Sequence, residues 1–301
     1  MLWFLLFLGL SCIAGGYVFA RLIIYPNVHT VQWVYDKAQN EGKLNEADFS
    51  GLPKQEIRVK SPFGYDLFGI YIPQAGATRT VVLAHGITWS LYGMVKYMWM
   101  FHRRGVNLLL YDHRNHGRSG GRNTTFGFYE KHDCKAVVDY AFSLLPEDGT
   151  VGLFGESLGG GTVLQEAALD PRLSFVAVDC AYSDLPELLL HRSRRQYPFL
   201  PGKLFLFIAS YWTRILGGFH LAEVSPIAGI PQIKAPILFC HGQQDDYVPT
   251  RMSVEMHRAK TVGIARLYLA PNAKHAEAFW NNQEQYDRVV GEFLGDVFKT
   301  G

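Results

Sequence analysis

The chain has 301 residues, 48% of them hydrophobic, and a net charge of +2. That composition supplies a sizeable core and excludes wholesale disorder; near-neutral charge without a basic run or stripe argues against a nucleic-acid partner. The four cysteines, Cys12, Cys134, Cys180 and Cys240, are scattered, match no C-x-x-C metal spacing and are too few for a disulfide framework, so they read as free thiols.

The first element is the uncharged run LWFLLFLGLSCIAGGYVFA, Leu2 to Ala20, closed by Arg21. At about 1.5 Å per residue it matches a bilayer core of about 30 Å. It lacks the basic region that precedes the apolar stretch of a cleaved signal. Residues 1–24 are therefore expected to form an uncleaved single-pass anchor, with a cleaved signal or a buried N-terminal helix as the alternatives. Removing them is expected to release an active, soluble remainder. Arg21 and Lys37 lie on the C-terminal side and favour a cytoplasmic body, but with Asp36 beside them the side of the membrane stays open.

Residues 25–54 read as an amphipathic helix and a polar linker. The segment KQEIRVKSPFGYDLFGIYIPQ then gives two alternating runs around Pro62-Phe63-Gly64, an antiparallel hairpin. From residue 80 the pattern changes to short continuous apolar runs, TVVLAHG, VNLLLYDHR, TVGLFGE, FVAVDCA, APILFCHG and ARLYLAP, separated mostly by helical stretches. Runs apolar on both faces suit a parallel sheet covered by helices on both sides. Residues 55–301 thus read as one α/β domain: a mostly parallel open sheet with an antiparallel N-terminal hairpin. The connection between FVAVDCAYSD and APILFCHG is too long for a loop. Its apolar, aromatic stretch YPFLPGKLFLFIASYWTRILGGF is interrupted by Lys203 and Arg214, and residues 183–230 are expected to form a helical cap over the C-terminal edge of the sheet.

In open α/β sheets ligands bind beyond the carboxyl ends of the strands. The run TVGLF ends there in Gly155-Glu156-Ser157-Leu158-Gly159 and passes directly into LGGGTVLQEAAL. This G-x-S-x-G between strand and helix is the arrangement of a nucleophile elbow. Its glycines are expected where a side chain would strike the neighbouring strand or helix, so that the Ser157 hydroxyl stands exposed on a tight bend. A serine needs a base to take its proton and a carboxylate to orient that base. On this architecture they follow the serine in the order acid, then histidine. Asp245 and Asp246 lie beyond APILFCHG, and His275 beyond ARLYLAP. His85, His113, His116 and His241 also lie near strand ends, so it is the order that selects His275. Cys180 and Cys240 read as buried thiols, Glu156 as a structural or tuning neighbour of the nucleophile. No H-E-x-x-H or comparable pattern calls for a metal, and no cofactor is expected.

Four stretches together resemble the α/β-hydrolase superfamily over about residues 55 to 298: VVLAHGIT, YDHRNHGRSGG (with Asn115 where the family has glycine), GESLGG, and IKAPILFCHGQQDDYVP. Within it the chain looks like bacterial membrane-anchored hydrolases of the dienelactone-hydrolase and prolyl-oligopeptidase-like branch. The resemblance implies the α/β-hydrolase fold. It also implies a Ser157, Asp245, His275 triad, because the H-G-x-x-D-x-x-V-P element places the acid at Asp245. The backbone N–H groups of Ile87 and Leu158 are then the oxyanion donors. His85 would support the loop that carries Ile87, and His113, Arg114 and His116 would hold a turn. The implied activity is carboxylesterase-like, through an acyl-enzyme on small-molecule esters; the apolar cap stretch and near-neutral charge favour a hydrophobic acyl group. Peptidase or thioesterase activity, or a silent binding protein of the same fold, are the alternatives. Membrane attachment would run through the N-terminal helix.

Overall fold

The computed structural model describes residues 1–299, apart from the side chains of Leu2, Phe4, Leu5 and Leu8. Eight strands form one sheet: β1 (Gln55–Lys60), β2 (Asp66–Ile72), β3 (Arg79–Ala84), β4 (Asn107–Tyr111), β5 (Thr150–Glu156), β6 (Phe175–Asp179), β7 (Ile237–Gly242) and β8 (Ala265–Ala270). Their spatial order is β1-β2-β4-β3-β5-β6-β7-β8. The β1–β2 hairpin is antiparallel and joins β4 antiparallel, whereas every pairing from β4 to β8 is parallel. The sheet is therefore the one expected, and its chain order reverses at β3, which has β4 on one side and β5 on the other.

Helices α1 (Leu2–Ile24), α2 (Val31–Asn40) and the short α3 (Glu46–Ser50) precede the sheet. Helix α4 (Val95–His102) follows β3, α5 (Glu130–Ser143) follows β4, and α6 (Leu158–Ala167) follows β5. Between β6 and β7 come α7 (Leu185–Gln196), α8 (Gly202–Gly217) and one turn of helix, α9 (Pro226–Gly229). Helix α10 (Arg251–Ala259) follows β7, and α11 (Ala278–Asn281) and α12 (Gln283–Lys299) close the described chain.

The period-two alternation of strand side chains decides which face each residue serves. Val81 and Leu83 of β3 pack with Met98 and Phe101 of α4 and Val290 and Phe293 of α12. Their neighbours Val82 and Ala84 point the other way, onto Val137 of α5, Leu164 of α6 and Met256 of α10. Continuous apolar runs are needed because both faces are covered.

A third core lies above the carboxyl edge of the strands. Leu185 and Leu188 of α7 and Leu206 of α8 meet Phe126, Leu158 and Tyr182 there, together with Ile23 and Ile24 of α1. The last half of α1 is thus part of the body. The Trp212 Nε1–H donates to the Ile13 carbonyl at 3.2 Å, the Tyr17 and Trp212 rings meet edge-on, and Phe19 lies against Phe205. These pairings run in opposite chain directions, so α1 and α8 are antiparallel. A Cβ on Gly15 would lie 2.3 Å from the Phe205 ring and one on Gly16 2.3 Å from Ile208, so this contact needs glycine. Past the helix, the Thr124 N–H donates to the Ile24 carbonyl at 2.9 Å.

The packing of the last half of α1 agrees with the alternative of a buried N-terminal helix. Among the described residues no single helix is long and apolar enough to cross a membrane; Gly9–Ile24 is a shorter apolar helix. Apolar residues facing a cap and apolar residues facing lipid read alike in a sequence. The cysteines are free as expected, with Cys134, Cys180 and Cys240 buried.

Candidate active site

The site lies at the point where the chain order reverses, at the carboxyl ends of β3 and β5. After β5 the chain turns at Ser157, whose φ of 54° and ψ of −110° are strained for a residue with a side chain. The glycines explain how the bend fits. A Cβ on Gly155 would come within 2.4 Å of the Gly159 carbonyl oxygen, and one on Gly159 within 2.0 Å of the Ala84 carbonyl oxygen. The elbow is held from the next strand by Ser157 N–H donating to Asp179 O at 2.8 Å. Ser157 is the N-cap of α6, so the Leu158 N–H belongs to the first turn, where N–H groups have no intrahelical acceptor.

The structure brings Ser157, Asp245 and His275 together from three separate strand ends. His275 Nε2 lies 3.0 Å from Ser157 Oγ, and His275 Nδ1 lies 2.7 Å from Asp245 Oδ2. Asp245 Oδ1 accepts the backbone N–H groups of Tyr247 and Val248, both at 2.9 Å, and its Oδ2 also lies 3.1 Å from His241 Nε2. Burial by itself would raise the Asp245 pKa. Hydrogen bonds from His241 and His275 outweigh it and hold the carboxyl well below the usual carboxylate range. Asp246 faces the other way, exposed, and pairs with Arg195 at 2.7 Å.

Ile87 and Leu158 line the same cavity as Ser157. The loop carrying Ile87 is braced by two buried histidines in fixed tautomers. His85 Nδ1 donates to Gly86 O at 2.7 Å, and its Nε2 accepts the His113 N–H at 3.0 Å. His116 Nδ1 donates to Arg114 O, and its Nε2 accepts the Thr88 N–H at 3.1 Å. Burial, and then the neighbouring His113 and His116, push the His85 pKa well down, so this imidazole stays neutral. Arg114 ties down its own turn through Asn123, with Nε 3.0 Å from the carbonyl oxygen.

Several further contacts had no role in the sequence reading. Tyr247 stacks on the His275 ring with centroids 4.8 Å apart, and the Arg192 guanidinium of the cap lies 3.6 Å above Tyr247. His241 shares Asp245. Its place in the CHGQQDD stretch marks it only as a strand-end residue, and the contact depends on the β7 turn. Lys96 of α4 is buried against Glu156 Oε2 at 2.5 Å and donates to the Ala276 carbonyl at 3.2 Å. It joins the residue before Ser157 to the residue after His275. Tyr97 adds a hydroxyl 2.8 Å from Glu156 Oε2 and 3.0 Å from Asp179 Oδ2. Burial first, and then Glu156, push Asp179 up to about 6. Breaking one side of a buried ion pair costs about 3–5 kcal/mol, so Lys96→Met is expected to lower the urea midpoint strongly. Lys96→Met with Glu156→Gln should regain much of that loss, because no unpaired charge is left; a double variant as unstable as the single one would refute this coupling.

The ligand atoms of Cys180, Asp245 and His275 also lie within 4.8 Å of one another. Two of these three residues, Asp245 and His275, also belong to the Ser157–His275–Asp245 line.

The cavity above Ser157 is about 250 Å³ and mostly apolar. Leu188, Leu189 and Leu206 of the cap form one wall; Phe19, Leu22 and Ile23 of α1 form another.

The sequence model of the alpha/beta hydrolase family matches residues 81–292. The chain belongs to the alpha/beta hydrolase family. The hydrolase is 34% identical over 289 residues to the Bacillus subtilis (strain 168) protein YqkD, covering 95% of this chain and 94% of that one. It is 25% identical over 237 residues to Escherichia coli (strain K12) YfhR, covering 75% and 74%. In fold it is similar to the Pyrococcus furiosus esterase Pf2001, with a TM-score of 0.69, 23% identity, and 84% of this hydrolase and 95% of the esterase covered. It is also similar to Est1E of Butyrivibrio proteoclasticus, solved with ferulic acid bound, with a TM-score of 0.62, 19% identity, and 81% and 99% covered.

Proposed function

We propose that the hydrolase is a serine esterase that works through an acyl-enzyme and prefers esters with a hydrophobic acyl group. Ser157 Oγ attacks the ester carbonyl as its proton passes to His275 Nε2. The tetrahedral intermediate collapses, the alcohol leaves with that proton, and a water deprotonated by His275 then hydrolyses the acyl-Ser157 bond. Asp245 holds the proton on His275 Nδ1 and stabilises the imidazolium. The Ile87 and Leu158 N–H groups receive the oxyanion; losing one such donor typically costs about 10²–10³ in rate.

One observation carries this reading: the unbroken line from Ser157 Oγ through His275 to Asp245, at 3.0 and 2.7 Å. The apolar cavity walls support a hydrophobic acyl group, and the likeness in fold to proteins named esterases is consistent with it. Membership of the dienelactone-hydrolase and prolyl-oligopeptidase-like branch, and attachment to a bacterial membrane through the N-terminal segment, are proposed on the sequence motifs and the uncharged run before Arg21.

A fluorophosphonate probe tests the reading. Wild type is expected to be labelled, and Ser157→Ala unlabelled and inactive on p-nitrophenyl butyrate. A folded wild type that takes no label would instead favour a silent binding protein.

A further inference from the structure

The two antiparallel helices above the cavity leave much apolar surface bare. On α8 the inward positions Leu206, Ala209 and Thr213 are buried, while Leu204, Phe207, Tyr211 and Ile215 form an exposed stripe on another face, with Phe207 61% and Ile215 70% exposed. On α1, Trp3, Phe7, Leu10, Val18 and Leu22 are exposed as well. Scattered single apolar residues are ordinary on a surface, but rows of exposed apolar residues on two helices packed together mark an interaction site.

Charge identifies the occupant. Residues 1–35 contain Arg21 and no acidic residue; residues 188–217 contain Arg192, Arg194, Arg195, Lys203 and Arg214 and no acidic residue. Of these, Arg195 is paired with Asp246, Arg192 lies over Tyr247 and Arg214 donates to the Gly218 carbonyl, which leaves Arg21, Arg194 and Lys203 as the cations flanking the apolar rows. Asp184 and Glu187 lie just before the second stretch, in a groove with Lys203 and Phe207. Aromatic and aliphatic side chains flanked by cations are the signature of a segment lying in the headgroup region of an anionic bilayer. The same two elements enclose the cavity above Ser157. Of its lining residues, Leu22 of α1 and Gln196 and Tyr197 at the end of α7 are exposed and mark its mouth.

We propose that α1 and α8 together form one lipid-facing blade that seats the hydrolase on an anionic membrane surface, with the cavity mouth between α1 and the end of α7 opening at that surface. The substrate class is then a long-chain acyl ester drawn from the lipid phase. Its acyl chain slides between Leu22 and Tyr197 onto the apolar walls, and its carbonyl reaches Ser157. The attachment lies in one leaflet, because α1 from Ile13 onward is packed on α8. The substrate part of this proposal rests on the esterase reading above; the docking part does not.

The test uses the full chain, vesicles of phosphatidylcholine alone or with one-third phosphatidylglycerol, and the double variant Phe207→Glu/Ile215→Glu, whose side chains lie outside the cavity. Wild type is expected to float with the anionic vesicles and not with the neutral ones, and to be released by high salt. The variant should lose at least tenfold in vesicle affinity. It should hydrolyse water-soluble p-nitrophenyl butyrate at the wild-type rate, yet fall at least tenfold on a long-chain ester presented in the vesicles. Equal flotation of variant and wild type, equal flotation on both lipids, or masking of the face by a stable dimer in solution would each overturn the docking. A variant that docks poorly yet keeps full activity on the vesicle ester would overturn substrate entry from the lipid. If wild type hydrolyses neither ester but floats as expected, the esterase reading and the substrate class fall and the docking stands.

Discussion

Asp245→Asn is expected to lower kcat for ester hydrolysis by about 10⁴, while Asp246→Asn leaves it within about twofold of wild type. The difference follows from geometry. Asp245 Oδ2 accepts from His275 Nδ1 at 2.7 Å, and its second oxygen is held by two backbone N–H groups. An asparagine there could still accept from those backbone groups, but its amide could turn the NH₂ toward His275. The imidazole would then carry its proton on Nε2 and be unable to accept one from Ser157 Oγ. The Asp246 carboxylate is turned away from His275 and pairs with Arg195 at the surface. Steady-state kinetics on p-nitrophenyl butyrate, with circular dichroism to confirm folding, decides the matter; equal losses in the two variants, or the reverse ranking, would show the acid to be misassigned. Because Asp245 is held well below the usual carboxylate range, its own protonation does not shape the rate between about pH 5 and 8.

Deleting residues 1–24 is expected to yield a destabilised, aggregating protein and not an active soluble domain. Ile23 and Ile24 are buried in the cap core, and burying one such side chain is worth about 1.5–3 kcal/mol. The deletion removes both, uncovers Phe205, Ile208 and Trp212 on α8, and takes away the α1 wall of the cavity. Deleting residues 2–11 should leave these contacts intact and preserve hydrolysis of a water-soluble ester. Gel filtration, a thermal melt and a soluble-ester assay of the two truncations provide the comparison. A monomeric, fully active chain lacking residues 1–24 would show that the α1 packing contributes nothing to the fold or the site.

The order of the strands along the chain, the hairpin before them and the elbow were legible because each is a local pattern. A strand buried on both faces needs a continuous apolar run, as in Val81–Ala84, and a sharp strand-to-helix bend needs glycine, as at Gly155 and Gly159. Asp245 could be separated from Asp246 only through the H-G-x-x-D-x-x-V-P resemblance. Adjacent carboxylates look alike until the turn after β7 sends one inward and the other to solvent. Lys96 carried no signal at all. It lies 60 residues before Glu156 in the chain and reads as an ordinary charge on a helix.

What the chain dictates by itself is therefore what depends on neighbours in sequence: apolar runs, turn glycines, and the succession of Ser157, Asp245 and His275 at strand ends. Tertiary structure alone decides what depends on who lies across a gap. It closes the line from Ser157 to His275, and it turns the last half of α1 from a free apolar helix into a wall of the cavity. The reason is that hydrophobicity carries no direction: Ile23 and Leu22 are equally apolar in the sequence, and only packing against α8 and the cap buries one and leaves the other exposed.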